Sequence, residues 1–194
     1  MNLNYNNIKD VVLKKGYKFF TGELNLNMIG IRTMNRKSNN FDDYFCLLYQ
    51  ENGIDKIWIN KEFTTDPGIY YLQKELLSSQ GCAILYPEQH NSLWTIGMHR
   101  GKYQAFVQIN PCKIYRDRNK DNYIDADEKS VDKGLYGINQ HHGYDSINVG
   151  PHSAGCQVHR HPKDLIYVLD IAKKSAAKYG SKFTYTLLTE NDFK

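Results

Sequence analysis

The sequence predicts a mainly β chain of the α+β class with two or three helices, folded as one domain over residues 1–194. Three observations carry that expectation. Fifteen Tyr and eight Phe stand against five Pro, a bias toward side chains that suit a pleated surface. Short runs of strand character recur along most of the chain. Asn52-Gly53 sits between two of these runs, and Asn-Gly is the dipeptide that best suits a two-residue hairpin turn. A chain of 194 residues can bury a core without disulfide staples.

The elements follow in order. Ile8, Val11, Val12 and Leu13 fall near helical spacing, with Asn6 or Asn7 as N-cap and Gly16 as the stop, so residues 1–24 read as a helical appendage. "LNLNMIGIR" alternates like a strand, and "DDYFCLLYQ" and "IDKIWIN" flank the Asn-Gly turn. After "TTDPG" (64–68) come "IYYL", "CAILY", "LWTIGM", "YQAFVQI" and "KIYR", all read as strands. An acidic loop and "LYGINQHH" follow. Pro162 opens a helix with Leu165, Val168, Leu169 and Ala172 on one face and Gly180 at its end, and "KFTYTLL" is a last strand. "HRHP" (159–162) reads as a surface segment before that helix.

The formal net charge of +4 comes without a dense basic run, so charge does not point to nucleic acid. Cys46, Cys82, Cys112 and Cys156 form no CxxC pair, which speaks against a zinc ribbon or a disulfide framework. Cys46 and Cys82 lie in apolar runs, while Cys156 sits in a glycine-flanked turn. No apolar stretch is long enough to span a membrane, and "MNLNYNNIKD" lacks a basic region followed by an apolar one. The expectation is a chain made in the cytoplasm that needs delivery to any target outside it.

"DRNKDNYIDADE" (117–128) places oxygen donors at positions 1, 3, 5, 9 and 12 of a twelve-residue loop: Asp117, Asn119, Asp121, Asp125 and Glu128. Tyr123 offers its backbone carbonyl at position 7. This is EF-hand spacing, with Asn122 in place of the usual glycine at position 6. Five acids against two bases in so short a segment repel one another unless a cation joins them. The preceding "INPCKIYR" looks extended, so the expectation is a structural Ca2+ loop grafted between strands.

A thiol becomes a useful nucleophile only beside a base or a positive field, with N–H groups aimed at the developing oxyanion. Gly155 lets the chain turn before Cys156 and leaves local amides accessible, and either His141 or His142 could supply the base. Histidine precedes cysteine by about fifteen residues, the reverse of the papain-like order. "GINQHHG" (137–143), "VG" (149–150), "SAGCQV" (153–158) and the helix from Pro162 together resemble the L,D-transpeptidase family with the YkuD-type fold, over roughly residues 40–190. "TTDPG" is similar to the family's T-P-x-G segment.

The resemblance implies a YkuD-like β-sandwich or mixed sheet. It implies Cys156 as nucleophile and a histidine of the 137–143 strand as base. "GINxH" looks like the form in phage-associated relatives and favours His141, while His142-Gly143 also fits the family's His-Gly pattern. It further implies the Gly155 and Cys156 amides as oxyanion donors and Ser153 as a hydrogen-bonding support of the turn or of the histidine. Ala154 and Gln157-Val158 depart from the frequent family residues and put the substrate contacts in question. The implied activity is acyl transfer on peptidoglycan stem peptides, to an amine or to water, by a protein delivered to the cell wall. Two other classes compete. One is a zinc peptidase or amidase drawing on the five histidines from His141 to His161 and Cys156. The other is a calcium-stabilised, non-enzymatic wall-binding or virion module.

Overall fold

The computed structural model describes residues 1–194 and opens with α1 (Tyr5–Lys14). Its cap is Asn4, whose side chain accepts from the Asn7 N–H at 2.9 Å, so the helix starts before the expected Asn6 or Asn7. Gly16 ends it at a left-handed φ of 74°.

The strands are β1 (Asn27–Arg32), β2 (Asp43–Glu51), β3 (Ile54–Thr64), β4 (Cys82–Leu85), β5 (Gln89–His99), β6 (Tyr103–Gln108), β7 (Cys112–Asp117), β8 (Asp132–Gly134), β9 (Gln140–His142) and β10 (Gln157–His159). Helix α2 (Pro162–Tyr179) and β11 (Phe183–Thr189) complete the chain. Eight strands close into a barrel in the order β1-β11-β5-β6-β9-β10-β3-β2, and β4-β7-β8 form a separate small sheet. The barrel is mixed: β1–β11 and β9–β10 are parallel and the other contacts antiparallel. Closure leaves no free edge in that sheet. No helix is long and apolar enough to cross a membrane.

Asn52 and Gly53 both take positive φ, 55° and 73°, as the hairpin turn between β2 and β3 requires. "DDYFCLLYQ" is apolar without alternation because both of its faces are covered. Phe45, Leu47 and Tyr49 join the main core, while Cys46 and Leu48 pack with Ile8, Val11 and Val12 of α1. The N-terminal helix is thus the lid of a second core on the barrel wall. Leu165, Val168, Leu169 and Ala172 of α2 enter the main core as their spacing predicts.

Two further sequence expectations fail. "IYYL" is not a strand: Tyr70–Lys74 form a wide helical turn, started where the Gly68 carbonyl accepts from the Tyr71 and Leu72 N–H groups at 3.1 and 3.2 Å. "HRHP" is not a surface segment either. His159 is fully buried between Phe45 and Phe63, with ring centroids 5.0 and 4.8 Å away. Arg160 and His161 instead pair with Glu62, and His161 also with Asp145.

One polar chain crosses the barrel interior toward the cysteine turn. A Cβ at Gly30 would fall 1.8 Å from the Tyr185 hydroxyl, so glycine there makes room for the ring. Tyr185 donates to Gln157 Oε1 at 2.8 Å.

Candidate active site

The parallel β9–β10 pair places Val158 opposite His141 and Gln157 opposite Gln140. The Gln157 N–H donates to the Asn139 carbonyl at 2.8 Å, which extends the pairing one step back. Cys156 therefore lies beside Asn139, with His141 as its diagonal neighbour on the same face. His142 points the other way. Its ring stacks on Tyr103 at 4.1 Å and meets Tyr144 at 4.4 Å, facing Leu165 and Leu169 of α2.

His141 is held as one tautomer. Its Nδ1 donates to the His142 carbonyl at 3.0 Å, since a carbonyl can only accept. That leaves Nε2 as a bare lone pair, buried and without any partner. Burial pushes its pKa down to about 3, helped by His99.

Of the four cysteines, Cys156 alone is partly exposed. Burial pushes the other three thiols up to about 12. The Cys156 thiol donates to the Gly137 carbonyl at 3.4 Å. Burial raises its pKa, against the opposing pull of the Asn139 N–H and the Arg100 charge. A raised thiol and a lowered histidine on one face of the sheet are both neutral at rest.

Ser153 bonds within the turn rather than to a histidine: its hydroxyl donates to the Cys156 carbonyl at 2.9 Å and accepts from the Gly155 N–H at 3.1 Å. That second bond occupies the Gly155 amide, leaving the Cys156 N–H as the free donor beside the sulfur. Gly155 takes φ 122°, and a Cβ there would lie 2.3 Å from the Ala83 carbonyl of β4. "TTDPG" also braces the turn. The Gly68 N–H donates to the Ser153 carbonyl at 2.9 Å, and a Cβ at Gly68 would meet the Gly150 carbonyl at 1.9 Å. Gln157, whose place in the sequence suggested a lost substrate contact, is buried. Its amide donates to the Gly155 and Thr65 carbonyls at 3.3 and 3.4 Å.

Cys156 opens into a cleft of about 400 Å³ with Ala83, His99, Arg100, Gly137 and His152. His141 lines an adjoining cleft of about 500 Å³ that shares His99, Arg100 and His152. Sequence reading missed His99 and Arg100. "HRG" is a hairpin tip, with Arg100 at φ 50° and Gly101 at φ 69°, and that turn was legible. Its position over the thiol was not, since β5–β6 and β10 are far apart in sequence. Asn139 was missed too: its Nδ2 donates to His99 Nδ1 at 3.2 Å. No three His, Cys, Asp or Glu side chains anywhere converge as a metal-holding group.

Of the predicted metal residues, Asp117 ends β7, and Asn119, Asp121, Tyr123 and Asp125 follow in the loop that leads to β8. Glu128 is held by tyrosine, its carboxylate accepting from the Tyr115 hydroxyl at 2.9 Å.

No family model, curated protein or solved structure matches the chain.

Proposed function

We propose that this chain is a cysteine acyltransferase of the L,D-transpeptidase type, with a YkuD-like variant of the barrel, acting on peptidoglycan stem peptides at the cell wall. One observation carries the reading. The partnerless Nε2 of His141 and the cleft-facing thiol of Cys156 lie on the same face of adjacent strands, with the Cys156 N–H unspent beside the sulfur.

The chemistry follows from those groups. Cys156 Sγ attacks the carbonyl joining an L-centre to a D-residue as its proton passes to His141 Nε2. The carbonyl electron pair moves onto oxygen, stabilised by the Cys156 N–H. Collapse of the adduct breaks the C–N bond, and the imidazolium returns the proton to the departing amine. A thioester on Cys156 remains. An amine of a second stem opens it to form a cross-link, or water opens it in hydrolysis, with His141 taking the incoming proton.

Because thiol and imidazole are both neutral at rest, proton transfer accompanies attack and does not precede it. Arg100 overhangs both clefts and sits beside the Tyr71 hydroxyl, where it suits the free carboxylate of a terminal D-residue.

The test is mass spectrometry of stem tetrapeptides and pentapeptides incubated with wild type and with Cys156→Ala. Loss of the terminal D-residue, or a new cross-link, seen only with the thiol present, supports the reading. Unchanged substrates across diaminopimelate-type and lysine-type stems, with no acyl adduct on Cys156 from a carbapenem, would leave a wall-binding module as the better account.

A further inference from the structure

A second group of unspent polar atoms lies in the loop between β7 and β8. Asp117, the last residue of β7, is 1% exposed. Its Oδ2 accepts from the Asp125 N–H across the loop at 3.0 Å, which aims the carboxylate into the loop. Its Oδ1 is buried and has no partner at all. A carboxylate oxygen taken from water and left bare is costly, and native folds rarely keep one without a reason.

The surrounding groups are arranged for a cation. Asn119 Nδ2 lies 2.9 Å from Asp121 Oδ2 and 2.8 Å from Asp125 Oδ2, so two carboxylates converge on a single amide N–H2. Asn119 Oδ1 accepts from the Asp121 N–H at 3.0 Å, and Asp121 Oδ1 from the Tyr123 N–H at 2.7 Å. The Tyr123 carbonyl accepts no hydrogen bond, although its neighbours Asn122 and Ile124 are tied to Ser38 and Arg36. Arg36 is the one cationic side chain paired with the loop, 3.0 Å from Asp125 Oδ1.

We propose that this loop binds a calcium ion. Its ligands are Asp117 Oδ1, the side-chain oxygens of Asn119, Asp121 and Asp125, and the Tyr123 carbonyl. The ion takes the place of the Asn119 N–H2 between the two carboxylates, and that amide turns to present its oxygen. Glu128, now held by Tyr115, turns in to complete a shell of about six to eight oxygens, the number calcium prefers.

The consequence for the molecule is a clipped cleft wall. β7 pairs with β4, whose Ala83 carbonyl lies against Gly155, and β8 leads to Gly137, whose carbonyl meets the Cys156 thiol. The calcium site stands apart from the acyl-transfer reading and is tested without it.

The experiment is a thermal melt of the full chain, stripped with chelator and titrated with calcium or magnesium. An ion that binds only the folded state should raise Tm with the logarithm of its concentration, by about 5–10 °C at a hundredfold excess over its Kd. The double variant Asp121→Asn, Asp125→Asn, altered outside the core, should melt with metal-free wild type and show no rise. Terbium luminescence sensitised by Tyr123 should appear in wild type and be displaced by calcium. Absence of a calcium-dependent rise in wild type, an equal rise in the variant, or an equal response to magnesium at the same concentration would overturn the proposal. Should the variant fail to fold, the terbium signal and its displacement in wild type decide alone.

Discussion

The imidazole of His99 lies over that of His141, with ring centroids 4.1 Å apart and planes 25° from parallel. Each ring has its tautomer set from outside the pair, His99 by the Asn139 amide and His141 by the His142 carbonyl. Neither takes a proton easily. Burial lowers His99 to about 4, helped by the Arg100 charge, and His141 to about 3, helped by His99. His141 is thus an unprotonated base throughout the neutral range. Replacing His99 with Ala opens the ring to water and removes its neighbour's opposing charge, so the His141 pKa rises toward the ordinary value of about 6.5. The acid limb of the kcat/KM profile should then move to higher pH. An acid limb that stays in place in His99→Ala would show that His141 is not the group it reports.

Alkylation measures the thiol. Its pKa is raised, so iodoacetamide should label Cys156 slowly at pH 7, about tenfold faster for each pH unit gained until the thiol titrates. The three core cysteines should stay unlabelled in folded protein. Arg100→Ala removes a positive charge that favours the thiolate and should slow labelling further. Fast, pH-independent labelling near pH 6 would mean a resting thiolate–imidazolium pair and contradict the neutral ground state.

The two adjacent histidines separate by substitution. His141→Gln removes the free Nε2 lone pair and should lower kcat by about 10²–10⁴-fold, the usual worth of a general base. His142→Phe preserves an aromatic ring between Tyr103 and Tyr144, and its carbonyl still fixes His141, so activity should stay within about tenfold. The opposite ranking, measured on the same stem peptides, would exchange their roles.

Gly68 and Gly101 make a matched test of the turn's packing. Gly68→Ala forces a methyl onto the Gly150 carbonyl at 1.9 Å, whereas Gly101→Ala meets nothing within 4 Å and carries only the strain of its φ of 69°. The first should lower Tm well beyond the second, roughly 2–4 °C per kcal/mol, and reduce Cys156 labelling by a carbapenem. Equal melting temperatures would show that the Ser153–Cys156 turn does not depend on this backbone contact.

Acid should unfold the protein partly through His159. Its folded pKa is depressed to about 3, against about 6.5 when unfolded. The stability from burying it neutral is therefore complete above about pH 6.5 and is lost as pH falls toward 3. Asp43 works in the opposite sense: burial, with the neighbouring Asp66 carboxylate, holds it above the usual carboxylate range, so its contribution is complete below about 4 and fades as pH rises above that. His159→Gln removes only the first effect. The Tm gap between wild type and this variant should shrink steadily from pH 7 to pH 4, and parallel curves would refute the assignment.

Local chemistry made much of the molecule legible from the sequence. Asn52-Gly53 dictates its turn because both residues tolerate positive φ. Pro162, the Leu165–Ala172 stripe and Gly180 mark α2 because those positions suit the start, the buried face and the end of a helix. Gly155 announces the sharp turn before Cys156, and the oxygen spacing of 117–128 is written in consecutive residues. "IYYL" misled because its apolar residues are shared by a helical turn, which Gly68 starts. "HRHP" misled because His159 is polar by composition, yet finds Asn60 and Gln140 at 2.8 Å inside an aromatic cage.

Other features arise only when distant segments meet. The parallel β9–β10 register sets His141 on the thiol's face and His142 on the other, a distinction that adjacent letters cannot carry. Barrel closure brings the His99–Arg100 hairpin tip over Cys156 and sends Gln157 inward to Tyr185. Backbone conformation is decided within a few residues, and so it can be read along the chain. Which side chains share a cleft depends on strand pairing across tens of residues, and that is decided by the burial of the whole core.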